Sequence, residues 1–207
     1  MKIYRPIATN KITQRFGENK ACIRIYPPIK IIYKTGLLCP TGYTDFYSKS
    51  GLIGHNGYDF KAWRGEPVYF PVVGDFGRVD GWTAMNEVDS NGGRGVNVFS
   101  PQSGLGEFKK FRFWHLKSSA VDDDQQIKTG QLLGYADSTG ASSSDHVHCD
   151  MKIVDSEKNS LNTENGYFGA VDFTPDFENR FILDVLGIRP PEFGFWQRLQ
   201  NYLAMLK

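Results

Sequence analysis

The chain has 207 residues, 40% of them hydrophobic, which is enough to bury one core and too few for two large domains. Lys plus Arg number 24 against 23 Asp plus Glu, a formal net charge of +1 that removes any global electrostatic case for nucleic acid or an acidic membrane surface. The three cysteines, Cys22, Cys39 and Cys149, lack the short paired spacings of a thiolate metal site or a disulfide framework, although Cys22 and Cys39 could pair.

Residues 1–10 contain no apolar run of the kind a signal peptide needs, and no later stretch approaches the ~18 to 20 apolar residues that span a bilayer. The chain therefore reads as soluble and without an export address. Its 22 Gly, 10 Pro and 14% aromatic residues suit short strands joined by tight turns better than a helical bundle. Residues 1–49 read as an N-terminal segment packed on the core. Within it, residues 29–33 could form a strand, and the remainder, interrupted by Pro27, Pro28 and Pro40, reads as loop.

Residues 50–155 read as a mainly antiparallel β domain. The segments 95–100, 108–116 and 146–153 alternate in part, as half-buried strands do. An Asn, Ser and Glu rich stretch over 155–165 reads as a surface loop, and Pro190 and Pro191 set off the tail. Residues 156–207 thus form an extension. Phe195, Trp196, Leu199, Leu203 and Leu206 fall at helical spacing near its end, predicting an amphipathic helix that docks on its own domain.

The histidines carry the most information. There are four, and they sit in three short segments: His55 with Asp59 in Gly-His-Asn-Gly-Tyr-Asp-Phe, His115 in Phe-Trp-His-Leu, and His146 with His148 in Asp-His-Val-His. Gly54 and Gly57 argue against a helix, so His55 and Asp59 belong on a turn entering a strand. His146 and His148 are two apart, so on a strand they project to one side, with Asp150 next in the row. Two imidazoles and a carboxylate suit a zinc ion and leave a fourth position for water. Any one histidine alone is more often a surface or core residue, and an isolated His-x-His is little better than even for metal. The joint pattern is the signal, and histidines beyond the ligand set provide for proton transfer and oxyanion stabilisation.

These motifs resemble those of the lysostaphin and LytM type zinc metalloendopeptidases, peptidoglycan peptidases with the duplicated hybrid motif fold. Residues 65–79, 93–98 and 127–134, with Trp114-His115-Leu116 and Ser138-Thr139-Gly140 ahead of the His-x-His, follow the family order over roughly residues 50–155. Residues 11–17 resemble its lead-in strand. The resemblance implies a compact antiparallel, barrel-like β-sheet and zinc ligands His55, Asp59 and His148. It also implies catalytic roles for His115 and His146, one activating a metal-bound water and the other stabilising the tetrahedral intermediate. Its implied substrates are peptide stems or cross-links of bacterial peptidoglycan, so the expected place of action is the cell wall or periplasm.

Three departures stand out. Residues 18–50 read as an insertion, Asp145 stands beside the His-x-His where a neutral residue is usual and reads as solvated, and Cys149, on the opposite face from the histidines, reads as a small core residue. Tyr58, Trp63, Trp82 and Trp114 could line a peptide groove, but core packing is the expected role of each. Two rivals are a non-catalytic cell-wall-binding module and a structural component of a phage tail or injection device. The complete ligand set argues for activity. A third rival, the zinc D-alanyl peptidase class, is disfavoured by the short His-to-Asp gap and the lack of a Glu beside His146 or His148. With no signal peptide visible, delivery by phage proteins, a lysis system or a particle is expected, the alternative being a chain trimmed of its signal.

Overall fold

The computed structural model describes residues 1–24, 30–33, 43–45, 47, 50–75 and 77–189. The tail helix expected over 195–206 and the pairing of Cys22 with Cys39 lie outside the described residues. The N-terminal part supplies β1 (Lys2–Arg5), β2 (Ile12–Gln14), β3 (Asn19–Arg24), β4 (Lys30–Tyr33) and β5 (Tyr43–Asp45). Next come β6 (Tyr58–Lys61), β7 (Pro67–Tyr69), β8 (Val72–Gly74), β9 (Gly77–Arg78), β10 (Trp82–Asp89) and β11 (Gly93–Phe99). They are followed by β12 (Phe108–Trp114), β13 (Leu116–Ser119), β14 (Gln126–Ile127), β15 (Leu132–Ala136) and β16 (His146–Val154). A 3-10 turn (Thr174–Asp176), β17 (Phe177–Phe181) and the short helix α1 (Ile182–Val185) complete the described chain.

The central sheet has seven strands in the order β14-β10-β11-β12-β16-β6-β2, all antiparallel. Three smaller sheets, β17-β1-β8-β9, β13-β15-β7 and β4-β3-β5, accompany it. The mainly antiparallel expectation therefore holds, with one exception among the described residues: β1 pairs with β17 in parallel. A parallel pair needs a long crossover, and almost the whole chain separates these two strands. Residues 18–50 also depart from the expectation of one strand in a loop, because β3, β4 and β5 form a sheet of their own. Strands this short are stable only as a set, and a set is invisible to a reading taken one window at a time.

The core lies against one face of the central sheet. Tyr58, Phe60, Val96, Val98, Phe111, Phe113, Val147 and Cys149 project from that face and pack with Ile3, Val68, Phe70, Val72, Leu116 and Leu133 from the smaller sheets. A second cluster joins Tyr4 and Tyr69 to Phe181, Ile182 and Leu183. Cys149 is the small core residue that was expected. Residues 155–165 form the anticipated surface loop, in which Asp155 accepts hydrogen bonds from the backbone of Glu157 and Asn159.

The segment 146–153 is not half-buried. Asp150 is 0% exposed, and His148 and Lys152, on the same face, are buried as well. Period 2 puts every second residue of β16 away from the core, but loops cover that second face too. Lys152 Nζ donates to the Phe168 carbonyl oxygen at 2.5 Å, while the backbone at Gly57 passes directly over Asp150 and His148. The sheet thus has an apolar buried face and a polar buried face.

Candidate metal centre and active site

His148 and Asp59 stand opposite each other where β16 pairs with β6, and His55 lies in the turn just before β6. This is the turn entering a strand that the glycines suggested. Gly57 has a steric reason to be glycine, since a Cβ there would sit 2.5 Å from the Cys149 carbonyl oxygen and 2.9 Å from both Asp150 Cβ and His148 Cε1.

The turn brings three donor atoms together. His55 Nε2 lies 3.0 Å from His148 Nδ1 and 3.1 Å from Asp59 Oδ1, and His148 Nδ1 lies 3.0 Å from the same carboxylate oxygen. Their chemistry fits a cation. A carboxylate oxygen only accepts, so both ring nitrogens direct a hydrogen at it and then crowd each other across 3.0 Å. An ion bound at ~2.0 to 2.1 Å would replace both hydrogens and hold ligand atoms about 3.3 Å apart in a tetrahedron, close to the spacing present. Among the described residues, His55, Asp59 and His148 are the group that could hold a metal ion. His55 Nδ1 is buried without a hydrogen-bond partner.

Electrostatics follow from this crowding. Burial pushes the Asp59 carboxyl up, but His55 and His148 beside it outweigh burial and hold it well below the usual carboxylate range. Burial pushes the His148 imidazole down, yet hydrogen bonds to Asp150 and Asp59 and the two charges raise it to about 9. Asp150 lies far below its ordinary value because Arg112 and His148 together overcome its burial.

The remaining histidines flank the cluster. Trp114 pairs with His148 and so lies on the polar face, and a regular strand would turn the next residue, His115, into the core. His115 instead takes φ 64°, in the left-handed region, which ends β12 and separates it from β13. The single strand expected over 108–116 is therefore two strands. The kink brings the His115 ring to 4.5 Å from that of His146, centroid to centroid, on the polar side. Backbone in this region costs about 1–3 kcal/mol for a residue other than glycine, and such strain concentrates at functional sites.

Both flanking histidines have fixed tautomers. His115 Nδ1 donates to the Thr139 carbonyl oxygen at 2.7 Å, and His146 Nδ1 to that of Ser144 at 2.8 Å. In the neutral ring each Nε2 then carries a free lone pair, and His146 Nε2 lies 3.6 Å from Asp59 Oδ1. Burial and the nearby His146 lower His115 to about 4, so it is neutral at pH 7.

His55, Asp59, His115, His146 and His148, the five positions that the resemblance implied for the site, thus lie together. Asp145 is not simply solvated: Arg64 Nη2 lies 3.3 Å from it, while Arg64 Nε lies 2.8 Å from Asp137. Tyr58 and Trp82 are buried in the core, as expected; Trp114 is buried on the polar face instead, and Trp63 is partly exposed. Arg112 escaped the sequence reading. The one signal available was its place in the alternating run over 108–116, which puts it on the histidine side of the sheet.

A mainly β scaffold on which two histidines and a carboxylate converge, with two further histidines beside them, defines the class of the β-sheet metallopeptidases. The chain belongs to Peptidase family M23, whose profile matches residues 53–162, just over half of its length. Among solved structures, Helicobacter pylori Csd3 in its hexagonal crystal is similar over 99% of this chain and 39% of that one, at 15% identity and a TM-score of 0.50, a likeness of fold. The catalytic domain of lysostaphin from Staphylococcus simulans is 23% identical over 59% of this chain and 78% of that one, with a TM-score of 0.45. LytU is 18% identical over 80% of this chain and 83% of that one, with a TM-score of 0.48. A search of curated proteins returns no match. No helix among the described residues is long and apolar enough to cross a membrane.

Proposed function

We propose that this protein is a zinc-dependent endopeptidase that hydrolyses peptide stems or cross-links of bacterial peptidoglycan, acting in the cell wall or periplasm. The observation that carries the reading is the convergence of His55 Nε2, Asp59 Oδ1 and His148 Nδ1 within 3.0–3.1 Å, beside two histidines whose Nδ1 atoms are committed to backbone carbonyls. Membership of Peptidase family M23 supports it. The central segment 50–155 is the endopeptidase domain in this reading, with 1–49 and 156–207 as attachments.

His55, Asp59 and His148 hold the ion. Zinc bound there supplies a Lewis acid for the scissile carbonyl and lowers the pKa of a water to about 7. His115 and His146 divide the remaining work. One ring takes the proton of the attacking water at Nε2 and passes that same proton to the leaving amine, while the other, when protonated at Nε2, donates a hydrogen bond to the oxyanion. Fixing Nδ1–H on a backbone carbonyl keeps each ring oriented for that exchange at Nε2.

The test is incubation of the purified protein with peptidoglycan of several wall types, with and without chelator and zinc, beside His148→Ala, with fragments analysed by mass spectrometry. New peptide termini that require zinc and vanish in the variant are expected. Intact walls despite bound zinc would transfer the proposal to a non-catalytic wall-binding or structural role.

A further inference from the structure

The two ring nitrogens of His148 point to different neighbours. Nδ1 faces Asp59 and His55, while Nε2 lies 3.1 Å from Asp150 Oδ2. A carboxylate oxygen accepts only, so Nε2 carries a hydrogen whatever Nδ1 does. Asp150 is in turn gripped from the neighbouring strand. Arg112, its register partner on β12, donates from Nε to Oδ1 at 2.8 Å and to Oδ2 at 3.0 Å, and from Nη2 to Oδ2 at 2.7 Å.

The guanidinium is itself held. It lies 5.7 Å from the centre of the Trp114 ring, and that ring rests on Gly92 and Gly95, where a Cβ would come within 2.3 and 2.4 Å of Trp114 Cε3. Each member of the series from Trp114 through Arg112 and Asp150 to His148 thus limits the next. Asp150 is wholly buried, and a buried ion pair is a poor source of stability compared with apolar residues of similar volume. Orientation of His148 gives the pair a purpose that stability does not.

We propose that Arg112 and Asp150 are positioning residues which fix the ring of His148 with Nδ1 toward the metal site, an inference that rests on the metal reading above. Without the pair, the ring can turn over and present carbon where the ligand atom belongs.

The experiment measures zinc affinity of the full chain by competition with a chromogenic chelator, with metal-free thermal unfolding as the control for folding. Asp150→Asn keeps the shape and removes the charge. The double variant Arg112→Met with Asp150→Leu removes both charges together and leaves neither unpaired in the interior. Both should unfold cooperatively without metal and bind zinc about 10- to 100-fold more weakly than the wild type. Arg112→Lys, which keeps a cation beside Asp150, should lose less zinc affinity than either of them. A folded variant of either kind with wild-type zinc affinity would overturn the proposal while leaving the metal site intact. A wild-type chain that binds no zinc would remove both.

Discussion

Phe111, Phe113, Cys149 and Met151 line one face of the β12–β16 pair, and Lys110, Arg112, His148 and Asp150 line the other. The two sets come from the same strands, one residue out of step, and most of both are withdrawn from water. The apolar set gains free energy directly from burial and packing. The polar set is tolerable only because each charge meets a partner: Arg112 meets Asp150, Asp150 meets His148, and Lys110 lies 3.8 Å from Glu87. One ladder therefore provides a rigid floor from one side and a preorganised electrostatic array from the other.

The comparison can be broken by crossing the faces. On the polar face, His115→Asn keeps a residue that tolerates the left-handed backbone and should lower the hydrolytic rate by about 10²- to 10⁴-fold. Zinc affinity and unfolding midpoint should stay near the wild type, and a matching loss of stability would assign His115 to the fold instead. On the apolar face, Phe111→Ala should cost about 3–5 kcal/mol in denaturant unfolding. The folded fraction should retain zinc binding, and selective loss of metal at full stability would dissolve the distinction between faces. Gly95→Ala drives a methyl into the Trp114 ring and should cost about 1–3 kcal/mol, read from the same unfolding curves.

The smallest effect depends on pH. Burial, followed by repulsion from Arg112, lowers Lys152 from its ordinary 10.5 to about 8. Between those two values the unfolded chain binds more protons than the folded one, so this group makes stability rise with pH across that window. Lys152→Met should flatten that rise in thermal unfolding followed from pH 7 to 10. An unchanged slope would mean that Lys152 is well solvated.

Local chemistry made much of this legible. The two-residue step from His146 to His148 and on to Asp150 placed them on one face, and the glycines around His55 indicated a turn. Cys149 fell on the core side by the same period, and 95–100 and 146–153 are close to β11 and β16. What escaped the reading is non-local. Arg112 meets Asp150 only through strand pairing, and nothing in the spacing of residues 108–116 announces a left-handed His115. The sheet of β3, β4 and β5 likewise arises from pairings between short segments, none of which is persuasive by itself. The burial of His148, Asp150 and Lys152 depends on loops from elsewhere in the chain, so alternation alone suggested a face open to water.

The strict register of β12 against β16 also bears on how this chain can change in length. Loss or gain of one residue inside either strand would turn its apolar residues away from the core and its polar ones toward it, exchanging floor for array. The exposed connection at residues 100–107 has no such parity to keep. Length variation, whether inherited or engineered, should therefore accumulate between β11 and β12 and be purged from the ladder itself.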